Sequence, residues 1–272
     1  MRAYGSPSSG ATPVVCLPGL ARTAADFDAL AQRLAVGGRF VAALDYRGRG
    51  LSDYDADWRN YSIAVENCDL RSLLDAAGIA RAIFVGTSRG GLHVMALAAE
   101  RPQLLAGAVL NDIGPVIEPA GLARIRSYVG KLPKPASWPD AAALFKGLFR
   151  AQFPAPEDRD WETYARGTLV EKDGELVPAY DPRLSLTLEE IAPGAPTPDA
   201  WALFDRLSGV PLLAIRGANS DLLSPATLEA MASRHPRCET LVVPGQGHAP
   251  LLLDEPTQSV IERFVAKIEP GP

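Results

Sequence analysis

The sequence predicts an α/β fold: a mostly parallel central sheet with helices on both faces and one helical cap insertion. Three observations predict it. Short, uniformly apolar runs alternate with amphipathic helical stretches over residues 13–112, as expected when helices cover both faces of a parallel sheet. The alternation stops after Asn111-Asp112-Ile113-Gly114-Pro115 and resumes at Pro211. Between an apolar run and a helical stretch lies Gly86-Thr87-Ser88-Arg89-Gly90. In that strand–turn–helix setting, G-x-S-x-G describes a serine held on a tight, strained turn.

The elements follow in order. Val14-Val15-Cys16-Leu17 reads as a strand, and residues 24–35 as a helix with Phe27, Leu30 and Leu34 on one face. Residues 40–44 form the next strand. A helix over residues 62–77 aligns Ile63, Leu70, Leu73, Leu74 and Ala77. Residues 82–85 lead into the serine turn, residues 91–98 form its helix, and residues 106–110 form a further strand. Residues 116–207 combine helix formers with proline clusters at 131–135, 153–156 and 192–198, and no clear parallel strand appears there. The sheet pattern resumes with strands at 211–216 and 240–243, and helices at 226–233 and 257–268. This divides the chain into core residues 1–115, a helical cap or lid over 116–207, and core residues 208–272. Two connections to the core favour a lid over an independent second domain.

Bulk properties narrow the class. The chain has 272 residues, 47% hydrophobic and 22% charged, with a net charge of −5. These values fit a globular chain and argue against a nucleic-acid partner. No apolar stretch approaches the roughly 20 residues that cross a bilayer, so no membrane association is expected. Residues 1–7 lack the apolar core of a secretion signal. The three cysteines, Cys16, Cys68 and Cys238, are odd in number and widely spaced, which suits free thiols in a reducing cytoplasm. Neither a C-x-x-C pair nor a histidine cluster is present, so no metal site is expected.

A serine route to acyl cleavage needs a base, an acid that orients the base, and N–H donors for the oxyanion. Ser88 is the candidate nucleophile. Three histidines exist, and His248 is the candidate base because Pro244-Gly245-Gln246-Gly247-His248-Ala249-Pro250 shapes a loop after the last strand. His93 lies on the helix after Ser88 and reads as packed or solvated. His235, between Arg234 and Arg237, reads as a surface residue. Asp221, in the turn after the 211–216 strand, is the leading acid, because ligands bind at the carboxyl ends of such strands. Asp112, at the end of the strand after the nucleophile helix, is the rival. The backbone N–H of Arg89 is one expected oxyanion donor, and that of Leu20, with Ala21 as second choice, is the other. The side chains of Arg89 and Arg22 read as members of structural ion pairs. Residues 45–52, Asp-Tyr-Arg-Gly-Arg-Gly-Leu-Ser, lack the third glycine and the lysine of a phosphate loop. The aromatics Trp138, Phe145, Phe149, Trp161 and Trp201 read mostly as the core of the insertion.

Together, the Leu17-Pro18-Gly19 loop, residues 45–52, the Ser88 turn, the Asp221 loop and Gly247-His248-Ala249-Pro250 resemble the α/β-hydrolase superfamily over almost the whole chain. The chain is most similar to the capped branch that holds 3-oxoadipate enol-lactonases, carbon–carbon bond hydrolases and small carboxylesterases. The resemblance implies an eight-stranded sheet, a cap between the sixth strand and the Asp221 strand, and no cofactor. Pro18-Gly19 stands where many relatives have His-Gly. Arg89 stands where Met, Leu or Gln is frequent. Only 13 residues precede Val14, too few for two strands, and Arg2-Ala3-Tyr4 reads as the end of one. The expected function is cleavage of a small or medium carboxylic ester or lactone through an acyl-enzyme. Carbon–carbon hydrolysis of a vinylogous diketone on the same triad is the alternative, and a non-catalytic receptor on the same fold is a third reading.

Overall fold

The computed structural model describes residues 1–189 and 199–268. The proline cluster at 192–198 lies outside the described residues. The central sheet has the strands β1 (Arg2–Tyr4), β2 (Val14–Leu17), β3 (Val41–Ala43), β4 (Ala82–Thr87) and β5 (Leu105–Asn111). A small hairpin, β6 (Leu169–Lys172) and β7 (Glu175–Pro178), stands apart, and β8 (Leu212–Gly217) and β9 (Cys238–Val243) complete the sheet. The order across it is β1-β3-β2-β4-β5-β8-β9. All pairings are parallel except β1 against β3. The sheet therefore has seven strands among the described residues, not the eight that the family resemblance implies. Arg2–Tyr4 is a short antiparallel edge strand.

The helices are α1 (Asp28–Val36), α2 (Ile63–Ala76), α3 (Arg89–Glu100), α4 (Pro119–Tyr128), α5 (Trp138–Phe149), α6 (Asp158–Thr168), α7 (Leu184–Glu189), α8 (Trp201–Phe204), α9 (Pro225–Arg234) and α10 (Glu255–Ile268). Side chains alternate across a strand, and this alternation divides the core in two. Val15, Leu17, Phe84, Ala108, Leu110 and Ala214 pack with residues of α2, α3 and α9. Val14, Cys16, Ile83, Val85, Val109 and Ile215 pack with residues of α1 and α10 on the other face. The inner strands β2, β3, β4, β5 and β8 are thus almost wholly apolar because both of their faces are buried, while the edge strands β1 and β9 are partly exposed.

Between β5 and β8 the chain forms α4 to α8 and the β6–β7 hairpin. This segment has its own cluster, in which Phe145, Phe149, Phe153 and Trp161 are buried together. Trp201 instead packs against the core on the α3 side. The hairpin turns at Asp173-Gly174, both at positive φ (53° and 77°), as a two-residue turn of primed type requires. The same Asp-Gly pair, set between Leu169-Val170-Glu171-Lys172 and Glu175-Leu176-Val177-Pro178, is a hairpin signal in the sequence. The expectation of a mainly helical insertion passes over it.

Candidate active site

Ser88 sits between β4 and α3 with φ 52° and ψ −115°, a region that a non-glycine residue enters only when its surroundings force it. The surroundings are tight. A Cβ on Gly86 would lie 2.5 Å from the carbonyl carbon of Gly90, and one on Gly90 would strike the carbonyl oxygen of Leu17. The Ser88 N–H donates to the Asn111 carbonyl at 2.9 Å. The turn is therefore pinned to two neighbouring strands, and the serine projects from the carboxyl edge of the sheet.

Ser88 Oγ lies 2.9 Å from His248 Nε2. His248 Nδ1 lies 2.8 Å from Asp112 Oδ2. A neutral ring that donates Nδ1–H to the carboxylate keeps Nε2 as an acceptor facing the hydroxyl. Asp112 is wholly buried and sits at φ 55°. Its Oδ1 accepts the Gly217 N–H at 2.7 Å, and its Oδ2 also accepts the Ser220 hydroxyl at 2.5 Å. The end of β8 thus supplies the donors that hold a carboxylate arriving from β5.

This corrects the expectation for the acid. His248 Nδ1 is hydrogen-bonded to Asp112, not to Asp221, whose charge reaches the ring only through space. The Asp221 carboxylate is bound in a fork by Arg124 of α4, with Nε at 2.7 Å and Nη2 at 2.9 Å. Its backbone carbonyl accepts the Gly121 N–H at 2.9 Å. Both contacts turn the residue toward the inserted segment. Partial burial pushes the Asp221 carboxyl upward, but Arg124, Gln152 and His248 together hold it below the usual carboxylate range.

The two residues expected to donate oxyanion amides flank the serine. Arg89 is the first residue of α3, where backbone N–H groups have no partner within the helix and the dipole favours negative charge. In the loop after β2, the Gly19 carbonyl accepts the Arg22 N–H at 3.3 Å, and the Leu20 carbonyl accepts Arg49 Nε at 2.9 Å. In a trans peptide the N–H opposes the C=O, so these bonds fix the directions of the Leu20 and Ala21 amides. The Gly19 Cα also closes on the nucleophile: a Cβ there would sit 3.8 Å from Ser88 Cβ.

Above Ser88 and His248 lies a cavity of about 110 Å³. Phe145, Phe149, Phe153, Trp161, Tyr128 and Tyr164 supply much of its wall. Arg22 also lines it, but Asp26 takes its Nε at 2.7 Å, and the guanidinium rests 3.8 Å above the Tyr164 ring. The Arg22 charge is therefore neutralised locally, as the ion-pair reading expects.

Behind the site lies a buried charge cluster. Glu66 accepts Arg49 Nη1 at 2.6 Å and Arg89 Nε at 2.8 Å, so Arg89 is also in a structural ion pair. His93 Nε2 lies 3.0 Å from Glu66 Oε2, and Nδ1 lies 2.6 Å from the Asn67 side-chain amide. Its ring stacks on Tyr46 at 4.5 Å. Burial is the largest influence on both titratable groups. It brings His93 down to about 4, and the hydrogen bond to Glu66 only partly offsets it. For Glu66 burial acts upward, but His93, Arg89 and Arg49 together bring the carboxyl down to about 2. His235, expected at the surface, is buried, with Nε2 2.9 Å from the Leu207 carbonyl. Its charged neighbours in sequence do not report where the ring points. Among the described residues, no three His, Cys, Asp or Glu side chains form a group that could hold a metal ion, and no helix is long and apolar enough to cross a membrane.

A doubly covered parallel sheet, with a strained serine after a central strand and a histidine and a carboxylate beside it, defines a hydrolase-type architecture. Comparison with known proteins agrees. The chain matches the model of the alpha/beta hydrolase family over residues 14–263. A 3-hydroxybutyrate-oligomer hydrolase of Cupriavidus necator is 31% identical over 270 residues, which cover 96% of this chain and 90% of that protein. A 2-(acetamidomethylene)succinate hydrolase of Mesorhizobium japonicum is 28% identical over 231 residues, covering 85% and 79%. An α/β hydrolase structure from Novosphingobium aromaticivorans superposes with a TM-score of 0.89 and 41% identity, over 98% of this chain and 93% of that one. The chain belongs to the alpha/beta hydrolase family and is a hydrolase.

Proposed function

We propose that the protein is a serine hydrolase that cleaves a carboxylic ester or lactone with a small or medium acyl part, on a triad of Ser88, His248 and Asp112. One observation carries this reading: the unbroken contact chain from Ser88 through His248 to Asp112 at the floor of an apolar cavity. Ser88 Oγ adds to the substrate carbonyl while His248 Nε2 takes its proton. Asp112 holds the ring and stabilises the imidazolium that results. The carbonyl oxygen becomes an oxyanion between the amides of Leu20 and Arg89, each worth about 3 kcal/mol in the transition state. The tetrahedral intermediate collapses, His248 returns the proton to the leaving oxygen, and the acyl group stays on Ser88. Water, deprotonated by His248, then releases the acid and restores the serine.

Cavity size supports a short acyl group. A site of about 110 Å³ is smaller than the roughly 150 Å³ cavity that takes up benzene. The likeness to a 3-hydroxybutyrate-oligomer hydrolase supports the same reading, since that protein's name describes a chain of short acyl units. Helices α4 to α6 act in this scheme as the lid over the acyl pocket, whose wall they line. Fluorophosphonate labelling, with esters graded by acyl length and lactones as substrates, tests the proposal. Labelling and turnover are expected in the native chain and absent in Ser88→Ala. Labelling that persisted in Ser88→Ala would remove Ser88 as the nucleophile.

A further inference from the structure

We propose that Glu66 and Arg49 are positioning residues for catalysis: with the side chain of Arg89 they form a buried clamp that sets the oxyanion hole. The proposal rests on the serine-hydrolase reading above. The clamp's two ends are the two residues whose amides would meet the oxyanion. At one end, Arg49 Nε donates to the Leu20 carbonyl at 2.9 Å, and its Nη1 donates to Glu66 at 2.6 Å. At the other end, the Arg89 side chain donates to the second Glu66 oxygen at 2.8 Å and to the Tyr61 carbonyl at 2.9 Å. One carboxylate therefore ties the loop after β2 to the first turn of α3. The Arg49 end holds the Leu20–Ala21 peptide, which directly follows the Leu20 amide, and the bridge is rigid and fully buried, since the side chains of Arg49 and Glu66 are both 0% exposed.

The clamp also carries charge. Two guanidinium groups share one carboxylate, and burial beside Tyr46 disfavours a charge on His93. The cluster keeps one net positive charge. Arg49 Nη2 is buried and makes no hydrogen bond, so that charge is not fully used by local partners. A fixed positive charge in a water-poor site favours an anion that forms nearby during reaction, and does little for a neutral ester in its ground state. Clamp residues should therefore act on kcat more than on KM.

The test compares Glu66→Gln and Arg89→Met with the native chain. Arg89→Met keeps the backbone amide and removes only the tie. The readouts are kcat and KM on a short aryl ester, and affinity for a short alkyl trifluoromethyl ketone, whose serine adduct carries an oxyanion. Each variant is expected to lose about tenfold in kcat and about tenfold in ketone affinity, with KM within about twofold. Arg89→Lys, which restores a donor and a charge, should recover part of both losses. If Glu66→Gln does not fold, Arg89→Met decides. An unchanged kcat in Arg89→Met, or a loss of kcat with unchanged ketone affinity, overturns the clamp and leaves the triad standing. A native chain that neither reacts with fluorophosphonate nor turns over ester overturns both.

Discussion

Asp112 and Asp221 separate the two meanings of an acid near the histidine proposed as the base. Both follow a strand at the carboxyl edge of the sheet, and both lie between Ser88 and His248 in the chain, so the Ser–acid–His order could be read from the sequence without deciding between them. What decides is partners brought from elsewhere: the Gly217 amide and Ser220 hydroxyl for Asp112, and Arg124 of the inserted segment for Asp221. Neither set follows from local sequence. Asp112→Asn should keep the packing but present the wrong partner to the imidazole, and is expected to lower kcat by roughly 10³–10⁴-fold. Asp221→Asn weakens a bidentate, mostly buried ion pair that takes no part in the contact chain from Ser88 to Asp112, and should lower kcat by less than tenfold. Steady-state rates of the two variants on one short ester distinguish them directly. That Ser88 and His248 meet, at 2.9 Å, agrees with turns whose flanking glycines and prolines are local features of the sequence.

At the scale of elements, the strands and helices of the core could be placed within a few residues, because uniformly apolar runs and helical faces are written into neighbouring positions. The inserted segment was harder. Its helices serve a cluster of their own, and its aromatics are shared between packing and cavity wall. Phe149 of α5 does both, lining the cavity and lying 5.2 Å from the ring of Tyr128. Phe149→Ala should destabilise the protein by about 3 kcal/mol and shift preference toward longer acyl groups. Thermal unfolding and an acyl-length series report the two effects separately. In the elbow, Gly90→Ala has no room for its methyl against the Leu17 carbonyl. It should cost about 1–3 kcal/mol and disturb the link between the serine turn and the loop after β2. A lower unfolding midpoint together with slower fluorophosphonate labelling would reveal it.

For the whole molecule, the buried cluster behind the site predicts how stability depends on pH. In the unfolded chain His93 titrates at its ordinary value of 6.5, and in the fold burial brings it down to about 4. Between these values the unfolded chain binds the extra proton, so stability is full above 6.5 and falls as pH falls toward 4. Glu66, ordinarily 4.5 and held at about 2 by His93 and the two arginines against the effect of burial, adds a further loss from 4.5 downward. Unfolding midpoints measured from pH 7 to 4 should fall steadily. His93→Gln should flatten the upper part of that curve, and an unchanged slope in that variant would show that His93 is not the group responsible.

The fork between Arg124 and Asp221 acquires a different meaning once Asp112 orients the histidine. The loop after β8, released from proton transfer, becomes a foothold on which α4 stands. The fork is one of several ties between the inserted segment and the core, others being the Ala155 N–H on the Gly245 carbonyl and the Thr23 hydroxyl on the Gly167 carbonyl. Changes at the foothold can retune which acyl groups enter while the proton relay beneath stays intact. A library that varies positions 124 and 221, and keeps Gly121 because a Cβ there would lie 2.7 Å from the Asp221 carbonyl oxygen, would test whether this foothold affects which acyl groups are accepted.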